Sequence, residues 1–186
     1  MDFKRIVITG APGTGKTSVI KSLENSGFFC FHEIIRTMTL EAIENEEADV
    51  LQNNPIDFVS DAASFNQKLL KGRLDQFKQA TTLQKDIVFY DRGVPDVLAY
   101  MDYFEQSYGT DFLNACKANR YDKVFLLPPW KEIYKQDNER LESYSQAVDL
   151  HIHLEKTYNS FGYEIIEVPF GTVEERLKYI LNNTQT

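Results

Sequence analysis

One stretch constrains this chain more than anything else in it. Gly10-Ala11-Pro12-Gly13-Thr14-Gly15-Lys16-Thr17 follows the pattern GxxxxGK plus Ser or Thr, and it lies between a short apolar run, Ile6-Val7-Ile8-Thr9, and a helix-like segment carrying Val19, Ile20 and Leu23. Glycines in such a turn let successive backbone N–H groups face inward as an anion nest, and the helix that follows adds the positive end of its dipole. The stretch therefore predicts a loop that wraps a di- or triphosphate, built from Gly10, Ala11, Pro12, Gly13, Thr14, Gly15 and Lys16 and continued by Thr17 and Ser18. Lys16 is placed to reach the β- and γ-phosphates. The Thr17 hydroxyl is an oxygen donor of the kind that Mg2+ shares with substrate phosphates. The plain alternative is a glycine-rich turn beside a surface lysine.

The surrounding pattern supplies the scaffold such a loop needs. Short, nearly continuous apolar runs occupy residues 6–9, 28–31, 87–90, 124–127 and 163–168, the form taken by parallel strands covered on both faces. Segments of helical period lie between them, so right-handed βαβ crossovers around one parallel sheet are expected, an α/β fold of three layers. Ser143 with Gln146, and Thr172 with Glu175, each fit a capping box and predict helix starts. Ala147, Leu150, Leu154, Tyr158 and Phe161 recur at spacings of three and four and predict the buried stripe of the helix that follows Ser143. Residues 57–82 read as mostly helix, and the stretch from about Ala48 to Ile56, with Asn53-Asn54-Pro55, as a break between two helices.

At 186 residues the chain is expected to form a single domain, 1–186. A net charge of -8 argues against a basic surface that grips nucleic acid or anionic lipid, leaving a local basic pocket as the place for positive charge. Cys30 and Cys116 lie far apart with no Cys/His cluster, so neither a disulfide framework nor a zinc site is suggested and the cytoplasm is the expected compartment. No apolar run approaches the roughly 20 residues that span a bilayer.

The third apolar run ends in Asp91, in the form of a strand whose terminal carboxylate holds Mg2+ directly or through water. In a parallel sheet the carboxyl ends of the strands line one ligand crevice, which would bring Asp91 to the phosphate loop; a helix cap is the simpler alternative. Arg92 follows where many hydrolytic ATPases would carry a catalytic glutamate, and this favours transfer to a bound acceptor over activation of water.

Several segments together resemble one family. The loop, Glu33-Ile34-Ile35-Arg36, Tyr90-Asp91-Arg92-Gly93 with Asp96, the run from Tyr121 to Pro129, the stretch Tyr134 to Arg140 and Val168-Pro169 are similar to the AAA-type ATPases grouped with the nicotinamide riboside kinase domain of NadR proteins, within the nucleoside and nucleotide kinase branch of P-loop NTPases. The resemblance runs from Phe3 to Leu181. It implies a core of five parallel strands, a lid after the fourth at about residues 129–143, and ATP with Mg2+ as donor, and it leaves the acceptor open.

The resemblance also assigns candidate roles. Glu33, at the end of the second strand, is a candidate general base or acceptor anchor, with a carboxylate favoured by a helix N-terminus as the alternative. Arg36 falls on the same helical face and could pair with Glu33 or meet an acceptor phosphate. Arg92 is suited to bind a phosphate bidentately, or to form a structural ion pair. Arg140, in an Asp-x-x-Arg pattern with Asp137, is the candidate lid residue closing over the charge of the transition state, or part of a solvated helix face. Phe65, Tyr100, Tyr103 and Trp130 are aromatic candidates for stacking on a base or sugar, and nothing selects among them.

These residues point to an ATP- and Mg2+-dependent phosphotransferase whose partners are a nucleoside triphosphate and a small hydroxyl acceptor such as a nucleoside or ribosyl compound, acting as a monomer or homodimer. Lys16, Asp91, Glu33, Arg92 and Arg140 would carry the catalysis, with Thr17 and Asp91 on the metal, either Glu33 or Asp91 as the base, and Glu33, Arg36 and Arg92 on the acceptor. The alternative is a nucleotide-binding switch, or a slow ATPase, that regulates a partner protein. No Asn-Lys-x-Asp guanine motif is present, which disfavours a Ras-type GTPase.

Overall fold

A computed structural model describes residues 3–35, 62–134 and 143–184. Five strands form one parallel sheet: β1 (Lys4–Gly10), β2 (Phe29–Phe31), β3 (Ile87–Asp91), β4 (Lys123–Leu127) and β5 (Ile165–Glu167), in the spatial order β2-β3-β1-β4-β5. The helices are α1 (Lys16–Asn25), α2 (Ala62–Gln79), α3 (Val94–Tyr103), α4 (Thr110–Ala118), α5 (Tyr144–Ser160) and α6 (Val173–Thr184), with a short 3-10 turn at Ala80–Thr82. The expected three-layer α/β fold with five parallel strands is what forms. None of the described helices is long and apolar enough to cross a membrane.

Alternation along the strands divides the core into two faces. Ile6, Ile8, Phe89, Phe125 and Leu127 pack with Val19, Ile20 and Leu23 of α1 and Ile180 of α6. Val7, Val88, Tyr90 and Val124 face the opposite way, against Leu69 and Leu70 of α2, Val97 and Leu98 of α3, Phe112 and Cys116 of α4, and Tyr158 of α5. Both cysteines are free and buried.

Both expected capping boxes form. Ser143 Oγ accepts from the Gln146 amide at 3.3 Å while the Gln146 side chain accepts from the Ser143 amide at 2.7 Å, and Thr172 and Glu175 reciprocate at the start of α6. Ala147, Leu150, Leu154 and Tyr158 form the buried stripe of α5, with the partly buried Phe161 packed at its end. The edge strands are shorter than the apolar runs that announce them, since each has only one neighbour: β2 begins at Phe29, and β5 is confined to Ile165–Glu167 by its three-residue pairing with β4. The expected helix over 57–82 is seen from Ala62. The break expected at about 48–56, Arg36, Asp137 and Arg140 lie outside the described residues, as does most of the expected lid.

Register aligns the carboxyl ends where chemistry can gather. Ile8 pairs with Asp91, Gly10 with Leu127 and Phe31 with Tyr90. The sheet order changes direction at β1, so the loop leaving β1 sits at the crevice between β3 and β4, the place where open α/β sheets bind ligands.

Candidate active site

The loop from Gly10 to Lys16 turns through left-handed backbone at Gly13 and Gly15, with φ 79° and 78°. Glycine takes these angles without strain, and a side chain would not fit at either position. A Cβ on Gly13 would stand 2.7 Å from the Tyr134 ring, and one on Gly15 would stand 2.8 Å from Arg176 Nη1. The Thr14 hydroxyl donates to the Ala11 carbonyl at 3.0 Å and ties the turn across itself. Helix α1 begins directly at Lys16 with Gly15 as its N-cap, and no acidic side chain occupies its first turn, so the positive end of its dipole is left for an anion.

Lys16 and Asp91, 75 positions apart in sequence, meet as an ion pair with only 11% and 5% of their side chains exposed. The third strand thus delivers its terminal carboxylate to the phosphate loop, as the sequence pattern predicts. Among the described residues no group of three or more His, Cys, Asp or Glu side chains gathers around a metal. A single carboxylate beside a phosphate loop with a threonine hydroxyl fits an ion that takes most of its ligands from substrate phosphates and water.

Next to this pair stands a second, buried charge cluster. The Glu33 carboxylate accepts from Arg73 Nη2 at 2.9 Å and pairs through its other oxygen with Arg92 Nε. Burial by itself would raise the Glu33 carboxyl, but Arg73 and Arg92, with Lys16 beyond them, outweigh it and hold the pKa down to about 2. Arg92 also reaches Asp96 Oδ1 at 3.3 Å and lies over the Tyr100 ring at 4.9 Å. Asp96 is fully buried and satisfied. It accepts from the Thr9 and Tyr158 hydroxyls, each at 2.5 Å, and from the Gly93 amide at 2.8 Å, so it ties the end of β1 to the β3–α3 turn and to α5.

Arg73, Arg92 and Asp96 of this cluster form the polar end of a small pocket. Phe65 and Leu69 of α2 and Val97, Tyr100 and Phe104 supply its apolar walls, while Asn66 and Gln106, joined by a 2.7 Å hydrogen bond, supply an amide pair. Of the four aromatic candidates, Phe65 and Tyr100 line this pocket. Trp130 is elsewhere, stacked on Phe170 with ring centroids 5.2 Å apart. Tyr103 turns to Phe104 and His153.

The structure thus brings Lys16, Asp91, Glu33 and Arg92 to the ends of β1, β2 and β3. Sequence reasoning did not single out Arg73 or Arg176; the signal that could have found them is that each continues the apolar stripe of its helix, Arg73 four residues after Leu69 and Arg176 four before Ile180.

Comparisons with known proteins agree with this architecture. No curated protein sequence matches the chain. Solved structures do: a deoxyadenosine kinase from M. mycoides with bound dATP is 18% identical with a TM-score of 0.67, covering 98% of this chain and 100% of that one. A NadR protein in complex with NR is 17% identical with a TM-score of 0.73, covering 98% of this chain and 51% of that protein. Thymidylate kinase from Ehrlichia chaffeensis is 14% identical with a TM-score of 0.65 over the whole of both chains. At such identities the likeness is one of fold, that of P-loop nucleoside and nucleotide kinases. A family model described as AAA domain matches residues 5–176, nearly the whole chain, and the protein belongs to that family.

Proposed function

We propose that this chain is a Mg2+-dependent ATP phosphotransferase acting on a small hydroxyl acceptor, a nucleoside or ribosyl compound. The observation that carries the reading is the adjacency of two sites: the Gly10–Lys16 loop with Asp91, and the aromatic-walled pocket whose polar end is Arg73, Arg92 and Asp96, the two arginines being paired with Glu33. A simple NTPase needs only the first. The kinds of molecule named with the similar structures, dATP and NR, support a nucleotide donor and a ribosyl acceptor. A cytoplasmic setting is supported by two cysteines that remain free.

In this reading Lys16 leaves Asp91 for the donor phosphates, and Thr17 and Asp91 would hold Mg2+, which would supply charge neutralisation of the donor phosphates. Phe65 and Tyr100 sandwich the acceptor ring, and Glu33 accepts the hydrogen bond of its hydroxyl. The acceptor oxygen bonds to the γ-phosphorus as the bond to the ADP oxygen breaks. A carboxylate held near pKa 2 is a weak base, so the hydroxyl proton reaches Glu33 late, once the new O–P bond has made that oxygen acidic. Arg92 stands beside Glu33 to meet the transferring charge, and Arg140 closes the lid.

ADP release from Mg-ATP, measured with and without nucleosides, nicotinamide riboside and mononucleotides, tests the proposal. Strong stimulation by one acceptor, lost in Lys16→Ala, is expected. A slow, acceptor-independent rate beside tight nucleotide binding would instead establish the switch.

A further inference from the structure

Arg176 stands apart from the cations of the acceptor pocket. It lies in the early part of α6 and is 3% exposed, yet among the described residues it forms no ion pair with a carboxylate. Its Nη2 donates to the Thr14 carbonyl at 2.8 Å, and its Nε is buried with no hydrogen-bond partner. Burial lowers its pKa, and among the described residues no acidic neighbour counters that. A buried cation without a counter-ion is strongly unfavourable, so its persistence calls for a use of the charge.

The geometry around Gly15 supplies one. In a planar trans peptide the C=O and the following N–H point in opposite directions, so fixing the Thr14 carbonyl toward α6 fixes the Gly15 N–H away from it. The bond is charge-assisted, which polarises that peptide and strengthens its N–H as a donor. Gly15 permits the arrangement twice over, by its φ of 78° and by the absent Cβ that would otherwise stand 2.8 Å from Nη1.

We infer that Arg176 is a positioning residue of the phosphate loop, holding the Thr14–Gly15 peptide so that the Gly15 N–H serves the bound phosphate, whose negative charge then balances the buried guanidinium. The inference rests on the reading that this loop binds nucleotide phosphates. It goes beyond it by placing part of the phosphate site on a helix more than 150 positions away, as the 162-position separation of Arg176 and Thr14 shows.

Calorimetric titration of Mg-ATP and Mg-ADP into the full chain, with Arg176→Met and Arg176→Lys alongside and at two NaCl concentrations, tests it. The expected result for Arg176→Met is about tenfold or greater weakening for both nucleotides, the worth of a charge-assisted hydrogen bond. Its binding should also depend less on salt, and Arg176→Lys should recover part of the affinity. Wild-type affinity and salt dependence in a folded Arg176→Met, even with a lowered melting temperature, would make the residue a structural strut and overturn the inference. If Arg176→Met does not fold, Arg176→Lys decides: weakened binding at an unchanged melting temperature supports the inference, and wild-type binding overturns it. A wild-type chain that binds no Mg-ATP would overturn the functional reading and this inference together, whereas wild-type binding with indifferent variants sinks this inference alone.

Discussion

Arg92 reaches the Glu33 carboxylate from a backbone with φ 75°, the left-handed region that a long side chain rarely adopts. The strained turn is held by the Arg92 amide, which donates to the Ile8 carbonyl at 3.0 Å, and by Gly93 just after it. Strain of this kind persists where the surroundings over-determine it. Glu33→Gln removes the one carboxylate that both Arg73 and Arg92 pair with, leaving the buried Arg73 with no ion-pair partner among the described residues and Arg92 with Asp96 alone. We expect a loss of about 3–5 kcal/mol in denaturant unfolding. A loss under about 1 kcal/mol, the range of an exposed pair, would show that water compensates the cluster.

The same carboxylate sets an acid limit. Its folded pKa of about 2 lies below the ordinary 4.5, so ionised Glu33 contributes stability that is fully present above pH 4.5 and lost as pH falls from there toward 2. Melting temperature followed from pH 7 downward should decline through this window, and Glu33→Gln should flatten part of the decline. Equal slopes for the two proteins would remove Glu33 from the acid response.

The sheet and its phosphate loop were legible because each is a local pattern: apolar runs of strand length, and glycines at fixed spacing before Lys16. Asp91 was legible for the same reason, as the residue ending a run. The polar environment of Glu33 was not. Its partner Arg73 is 40 positions away, and although Arg73 continues the Phe65–Leu69 stripe of α2 at a spacing of four, unlike the exposed Lys71, the stripe does not say which carboxylate it will meet. Asp96 was visible only as a letter in a family motif. Its importance lies in donors drawn from β1, the β3–α3 turn and α5, a convergence that exists only in three dimensions.

Gly93 marks how tightly that convergence is packed. Its φ of -107° is open to any residue, but a Cβ would stand 2.6 Å from the Tyr158 hydroxyl and 3.0 Å from both Tyr121 and Val7. Gly93→Ala is therefore expected to destabilise by about 1–3 kcal/mol through overpacking. Tyr158→Phe removes the nearest clashing atom at the expense of a hydrogen bond to Asp96, so a double-mutant cycle should show a favourable coupling of at least about 0.5 kcal/mol. Strict additivity would mean that the backbone shifts to accept the methyl group.

The Lys16–Asp91 pair predicts an asymmetry between metal-free and metal-bound nucleotide. In the free chain the Asp91 carboxylate occupies the ammonium that the phosphates require, so phosphate without metal must compete with it, whereas Mg2+ with phosphate satisfies both partners at once. Asp91→Asn frees Lys16 while removing the metal's carboxylate. Metal-free ADP, titrated in EDTA, should then bind about three- to tenfold more tightly than to wild type, as release of a partly buried ion pair implies, while added Mg2+ should give little further gain. In wild type the gain from Mg2+ should be large. Metal-free binding that is unchanged or weaker in Asp91→Asn would show that Lys16 is not restrained by Asp91, and an undiminished gain from Mg2+ would place the metal on other ligands.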